Sequence, residues 1–321
     1  MTVNTVQNID FLKNDLPNKC ANLIIADPPY YKVKGDFDFI WKTFDDYLKD
    51  VEKWAVECKR ILKDNGTILW YGDAKNIAYA QIIFDKHFNL LNSIVWENTN
   101  QAKQSMVNVE EYRSFPPLTE RILMYANEEA VNKSTLIHKD YFISIINKIQ
   151  ETAIIDDFTK CLLDLEIASS KDSAKVLASY KTGKHKTRFD LLSKEMYDFI
   201  GGFNYSFKEL DEEYKYLKNE YEKTRRYFNN IHKIGDVIRL PNYETSDYDH
   251  DTIKPERLTR MLITTCSRKG DTLVVPFAGS GTECAMGVKE SLKVYGYEIT
   301  EKHANMSNER MKPHLTQTSL F

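Results

Sequence analysis

Apolar residues recur along this chain in two rhythms, and their alternation predicts its architecture. Val3 to Ile9 reads as a short strand, and Ala21-Asn22-Leu23-Ile24-Ile25-Ala26 as a compact apolar run halted by Asp27-Pro28-Pro29. Such a run, ended so abruptly, suits a buried parallel strand that opens into a loop. From Phe44 to Leu62 the spacing changes: Leu48, Val51, Trp54, Ala55, Cys58, Ile61 and Leu62 fall at helical intervals, and Asp64-Asn65-Gly66 supplies a stop. Thr67–Tyr71 then predicts a strand, Ile77–His87 a helix, and Ser93–Trp96 and Arg121–Tyr125 two further strands. Strand and helix alternating in this way predict an α/β fold with a doubly wound, mostly parallel sheet.

The alternation breaks between about Asn127 and Pro241, where Lys, Glu, Tyr and Asn dominate and helical patterns replace strands. Glu209 to Phe228 reads as a long charged helix with Leu210, Tyr214, Leu217, Tyr221 and Phe228 on its less polar face. After Pro241 the first pattern resumes: a helix over Arg257–Cys266, a strand over Thr272–Val275, a helix over Glu283–Glu290 and a strand over Lys293–Tyr297. The tail from Lys312 is expected to fray. One large domain, residues 1–127 and 241–321, with a mostly helical insertion over 128–240, accounts for this layout.

Composition narrows the class. At 321 residues and 42% hydrophobic, the chain can bury a full core, and it holds no apolar run long enough for a membrane span. Met1 to Thr5 lack the basic start of a secretory signal, so a cytoplasmic protein is expected. A net charge of −3 argues against a protein that coats nucleic acid by bulk charge, so any such surface must be local. The cysteines at 20, 58, 161, 266 and 284 have neither metal-ligand nor disulfide spacing. Reduced thiols and no metal site are expected.

Candidate chemistry sits at the ends of two predicted strands. Phe277-Ala278-Gly279-Ser280-Gly281-Thr282 lies between a strand and a helix, where glycines permit a tight turn and a close backbone approach to a ligand. The next strand ends at Glu298, and an acid at that tip can accept hydrogen bonds from ribose hydroxyls. Neither GxGxxG nor GxxxxGK[ST] is present, so a nucleoside cofactor without pyrophosphate fits better than a dinucleotide or a nucleoside triphosphate. At the other strand end, Asp27-Pro28-Pro29-Tyr30 combines a carboxylate, a stiff turn whose two prolines lack backbone N–H donors and leave carbonyls as acceptors, and a flat ring. Asp27 and the Pro28 carbonyl can hold an exocyclic amine from two sides and stabilise the positive charge that develops on it, while Tyr30 stacks on a base extruded from a duplex.

With these residues in view, the chain resembles the amino-group DNA methyltransferases of the beta arrangement, in which the catalytic motif precedes a target recognition region and the cofactor motif comes last. The likeness covers roughly residues 1–127 and 241–312. It implies a Rossmann-like sheet, S-adenosylmethionine as cofactor, double-stranded DNA as substrate, a homodimer, and room for a restriction endonuclease partner in the same system. Asn8-Ile9-Asp10-Phe11-Leu12 is similar to the opening motif, which places Asp10 and Phe11 at the cofactor adenine. The run from His250 to Leu258 is similar to the lysine-proline motif, which places Thr252 and Lys254 near the methionine end. Phe277, Gly279, Ser280, Gly281, Thr282 and Glu298 complete the implied cofactor site. Thr119 to Leu123 resembles a late motif in which Glu120 has a structural or a chemical role.

One residue departs from the pattern: the acid that the family usually places before Pro-Phe is Val275 here. Asp at the head of the tetrapeptide resembles adenine N6 enzymes more than cytosine N4 enzymes, which more often begin with Ser. A cytosine enzyme, or a non-catalytic DNA-binding module with a degenerate pocket, is the alternative. For DNA contact the basic residues Lys181, Lys184, Lys186 and Arg188, with Arg225 and Arg226 further on, are the candidates. Residues 35–39 and 98–114 follow strand ends and could close over the site.

Overall fold

A computed structural model describes residues 2–33, 40–100, 115, 117–127, 155–181, 219, 225–242 and 253–315. Among these, eight strands form one sheet in the order β1-β8-β7-β2-β3-β5-β4-β6. They are β1 (Thr5–Gln7), β2 (Ala21–Ala26), β3 (Leu62–Asp73), β4 (Asn89–Asn98), β5 (Thr119–Ala126), β6 (Val237–Leu240), β7 (Thr272–Val275) and β8 (Lys293–Tyr297). The helices described are α1 (Phe44–Ile61), α2 (Ile77–Phe84), α3 (Ile155–Asp164), α4 (Lys171–Lys181), α5 (Glu256–Cys266), α6 (Thr282–Lys289) and α7 (Glu301–Leu315). β5 alone runs antiparallel to its neighbours, pairing Met124 with Leu69 of β3 and Ile122 with Ile94 of β4.

Because successive strand residues face opposite sides, the central strands feed two cores. Ile24, Ala26, Ile68 and Trp70 pack with Val51, Trp54, Ala55 and Cys58 of α1. Leu23, Ile25, Leu69 and Tyr71 pack with Leu258 and Leu262 of α5 and Met286 of α6. Burial on both faces is why β2 reads as an unbroken apolar run rather than an alternating one. α1 is capped as its sequence suggests: Thr43 Oγ1 accepts from the Asp46 amide at 3.1 Å, with acids in the first turn and Lys59 and Arg60 in the last.

The pairing of β2 with β7 positions the site. Leu23 lies beside Leu273 and Ile24 beside Val274, both strands running the same way. From this pair the chain winds outward in opposite directions, to β3 on one side and to β8 and β1 on the other. Ligands bind such α/β sheets in the crevice at the carboxyl ends of the strands flanking this switch point.

Several expectations differ from what is observed. The expected stop at Asp64-Asn65-Gly66 lies inside β3, where the partners step from Ala21↔Leu62 to Leu23↔Thr67. The extra residues bulge out, so turn chemistry interrupts the pairing without ending the strand. β6 is a strand within the stretch expected to be insertion; short, with alternate residues exposed, it has too little apolar signal to be read alone. Its Leu240 carbonyl accepts from Trp96 Nε1 at 3.1 Å. Residues 226–230 form no helix, so the expected helix does not reach Phe228. α7 runs to Leu315 despite Pro313, anchored by the buried Met311, rather than fraying at Lys312.

The chain divides into two compact units, Met1–Ala130 with Arg226–Phe321, and Val131–Arg225. Residues 226–240 therefore belong with the sheet. In the second unit α3 and α4 pack through Phe158, Cys161, Leu162, Ala174 and Ala178.

The turn after β7 holds two glycines at positive φ, Gly279 at 49° and Gly281, and the second is the more constrained. Gly281 has φ 79°, and a Cβ there would lie 2.6 Å from Ser307 Cα of α7. Gly281→Ala is expected to lower stability by about 1–3 kcal/mol, since left-handed strain and a backbone clash combine. Urea unfolding of the ligand-free variant checks this.

Candidate active site

A pocket of about 350 Å³ opens where the β2 and β7 loops meet. Its lining brings together Asp10, Phe11, Asp27, Pro28, Pro29, Tyr30, Lys254, Phe277, Gly279, Ser280 and Glu298, from segments far apart in sequence. Gly281 and Thr282 sit behind this wall at the start of α6. Thr252, Lys184, Lys186 and Arg188 lie outside the described residues, as does the side chain of Lys181. So do residues 35–39 and 101–114 of the expected closing loops.

One half of the pocket is the glycine turn. The Gly281 amide donates to the Ala278 carbonyl at 2.7 Å, which closes the turn. Glu298 holds it from the side, Oε2 accepting from the Gly279 amide at 2.9 Å and Oε1 from the Thr300 amide at 2.9 Å. α7 braces it from behind: Ser307 Oγ donates to the Gly279 carbonyl at 2.9 Å, and Arg310 donates to Thr282 Oγ1 at 2.7 Å. Phe277 packs edge-on to Trp54 and Trp70, with ring centroids 4.9 and 6.2 Å away, and Phe11 adjoins it at 6.4 Å. A flat apolar wall beside a half-buried carboxylate suits a nucleoside, whose base is buried and whose ribose needs acceptors. Asp10 Oδ1 caps the short turn carrying Phe11 by accepting from the Leu12 amide at 2.9 Å.

The other half is an ionic cluster. Asp27 accepts from Tyr30 Oη at 2.6 Å through Oδ1 and from Lys254 Nζ at 2.6 Å through Oδ2. Lys254 also lies 3.2 Å from Glu120 Oε2, and its own side chain is 4% exposed. Each carboxylate oxygen has two acceptor positions, so Asp27 can still receive N–H donors from a ligand. The loop's exit is pinned by Asn76, whose Nδ2 donates to the Tyr31 carbonyl at 3.0 Å.

Burial alone would favour a neutral Lys254, but Asp27 and Glu120, the hydrogen bond to Asp27 and the charge of Glu283 outweigh it and raise the ammonium's pKa. Burial, and then the Asp27 charge, push the Tyr30 phenol well up. Tyr30 is thus a neutral donor to Asp27. Glu283 is pushed up to about 7, by burial first and by Asp27 next, against its own amide, Lys254 and Arg310.

Glu283, Arg310, Trp54 and Tyr71 were not singled out from sequence. Glu283 reads there only as an acid in the first turn of a helix, a common and exposed placement. Nothing in the spacing distinguishes it. Among the basic candidates, Arg226 lies away from the pocket: its Nη1 is 3.4 Å from Thr67 Oγ1, behind the strand tip, and its guanidinium stacks 5.5 Å from the Phe228 ring. Arg225 is the half-buried last residue of the second unit. Among the described residues no group of three His, Cys, Asp or Glu could hold a metal ion, and no helix is long and apolar enough to cross a membrane.

A family described as DNA methylase, of the N6/N4 type, matches residues 21–309. The DNA adenine methyltransferase YhdJ of Escherichia coli K12 is 24% identical over 304 residues, 92% of this chain and 78% of that one. Two solved structures share the fold. The cytosine-N4-specific PvuII DNA methyltransferase has a TM-score of 0.54 at 12% identity, covering 98% of this chain and 93% of its own. M1.HpyAVI bound to SAM has a TM-score of 0.52 at 14% identity, covering 96% and 98%.

Lys254→Met leaves Asp27 and Glu120 without their shared cation. The expected loss at pH 7.5 is about 3 kcal/mol, the low end for broken buried pairs because both carboxylates keep slight exposure. With a raised folded pKa, Lys254 contributes its stabilisation below the ordinary ammonium range and loses it only above, so the wild-type contribution is constant near neutrality. Urea unfolding of wild type and variant at pH 7.5 measures the loss; unchanged stability would exclude this ionic account.

Proposed function

The chain belongs to the N6/N4 DNA methylase family, and from that premise we propose that it methylates the N6 amine of adenine in double-stranded DNA. What carries the reading is the bonded Asp27 at the mouth of the β2 loop, beside a glycine turn shaped for a nucleoside. The family's cofactor fits these residues: Phe11 and Phe277 for the adenine ring, Glu298 for the ribose, and a pocket bearing Asp10, Asp27, Asp50, Glu283 and Glu298 for a ligand that carries positive charge.

S-adenosylmethionine supplies an electrophilic methyl group on a sulfonium centre. Asp27 and the Pro28 carbonyl would accept the two N–H bonds of the target amine and draw its lone pair out of conjugation with the ring. Methyl transfer forms the N–C bond, leaves the S–C electron pair on sulfur, and moves the positive charge to nitrogen. Asp27 would stabilise that charge until the methylated amine releases a proton to bulk water, which returns it to the neutral state. Tyr30 would fix the carboxylate's orientation, and the Phe277 wall would exclude water from the reacting line.

Asp at the head of the tetrapeptide and the similarity to an adenine enzyme support adenine. The fold shared with a cytosine N4 enzyme makes that base the second reading. For DNA recognition the basic run at Lys181, Lys184, Lys186 and Arg188 in the second unit is the candidate surface, with Arg225 at its end. Arg226, turned to Thr67, contributes less to that proposal. The homodimer and the endonuclease partner rest on the family resemblance.

With labelled cofactor and mixed-sequence duplex DNA, nucleoside analysis should return N6-methyladenine; N4-methylcytosine would establish the second reading. Asp27→Ala should lower transfer by about 100-fold or more while cofactor binding persists. Residues 131–225 can be tested separately, because Asn127 Nδ2 bonds the Lys63 carbonyl at 3.1 Å and Arg226 reaches Thr67, tying both cut ends to β3. Replacing them by a flexible Gly/Ser linker should preserve cooperative unfolding and cofactor binding and abolish transfer to DNA. Retained transfer would place recognition elsewhere.

A further inference from the structure

The pocket contains an acid that the fold does not explain. Glu283, the second residue of α6, lines the pocket and is 5% exposed, and its Oε1 has no hydrogen-bond partner. A carboxylate oxygen buried without a donor is costly unless a cation arrives. The groups that face it are Asp27 after β2, Tyr71 of β3, Lys254 before α5 and Arg310 of α7. Lys254 is bonded to Asp27 and lies against Glu120, and Arg310 donates to Thr282 and to Glu256.

A second observation concerns position 275. Where the family resemblance leads one to expect an acid, Val275 is 1% exposed and packed in the apolar core among Leu273, Val294 and Met286. The strand end thus lacks its carboxylate, and the first turn of the following helix has one with an unpartnered oxygen. We infer that Glu283 takes over from the missing strand-end acid and receives the α-ammonium of the cofactor's methionine portion. This rests on S-adenosylmethionine being the cofactor.

Chemistry and position select that group. The sulfonium has no hydrogen to donate, whereas an ammonium offers three. The amine-holding Asp27 must lie near the methyl group, hence near the methionine end, and Asp27 is the charge that acts most strongly on Glu283. Glu298, on the Gly279 amide, marks the ribose end instead.

Calorimetric titration with S-adenosylmethionine and with 5′-methylthioadenosine, which lacks the amino-acid portion, tests this. Glu283→Gln should weaken S-adenosylmethionine binding about 10- to 100-fold, as loss of a charge-assisted bond implies, and leave 5′-methylthioadenosine within about twofold. Glu283→Asp should restore part of the loss. Wild-type affinity for S-adenosylmethionine should fall from pH 7.5 to 6 as Glu283 protonates, and the Gln variant should show no such fall. Unchanged affinity in the Gln variant, or an equal loss for both ligands, would overturn the inference and leave the methyltransferase reading intact. A wild-type protein that binds neither ligand would overturn the cofactor reading and the inference together. Unfolding midpoints establish that the variants are folded.

Discussion

The parallel pairing of β2 with β7 is the constraint on which the rest depends. Leu23 and Ile24 lie against Leu273 and Val274, and this alignment sets Asp27 and Pro276 at neighbouring tips. Neither loop forms the pocket alone: one offers the carboxylate proposed to hold the target amine, the other the turn proposed to admit the cofactor's nucleoside. Long-range parallel pairing is costly in loop entropy, and here it is held by apolar burial on both faces of the sheet. The order of the two loops along the chain is then immaterial to the chemistry. Their adjacency in space is what counts.

Much of this was legible because the central strands are extreme cases. Ala21–Ala26 and Thr272–Val275 are apolar runs closed by Pro or Asp-Pro-Pro, and both strands fall at those bounds. The lines of failure are equally physical. β6 pairs only along one edge, with alternate residues exposed, so four residues in a polar stretch gave no run to read. β3 continues through Asp64-Asn65-Gly66 because its neighbour β2 supplies partners on either side of the bulge, a tertiary effect that local turn propensity does not contain.

The candidate site was legible in its loops and illegible in its charges. Asp27, Tyr30, Gly279 and Glu298 belong to strand ends, where residue type and position together imply a role. Lys254 was recognisable through a motif, but nothing in that motif says that its ammonium is enclosed with Asp27 and Glu120. Glu283 was invisible for the same reason. A first-turn acid is ordinary on a surface helix and becomes informative only once α5, α7 and β3 have closed around it.

Charge conservation links these parts. Methyl transfer moves one positive charge from sulfur to nitrogen and creates none, so a site that binds the cofactor must hold that charge in both places. In the proposed mechanism Asp27 serves the nitrogen end, and without a target amine Lys254 and Tyr30 already satisfy it, so its carboxylate is not left bare in a low-dielectric pocket. Glu120 draws the other side of the Lys254 ammonium, which keeps the cation from neutralising Asp27 alone. Removing the acid from position 275 without a replacement would leave the cofactor's own cations facing a cluster in which Lys254 already offsets one carboxylate. In the proposed site Glu283 would restore the excess of negative charge, with Arg310 of α7 bonded to the neighbouring Thr282. Val275 at the strand end and the acid in the helix would in this sense be one adjustment of a single electrostatic balance.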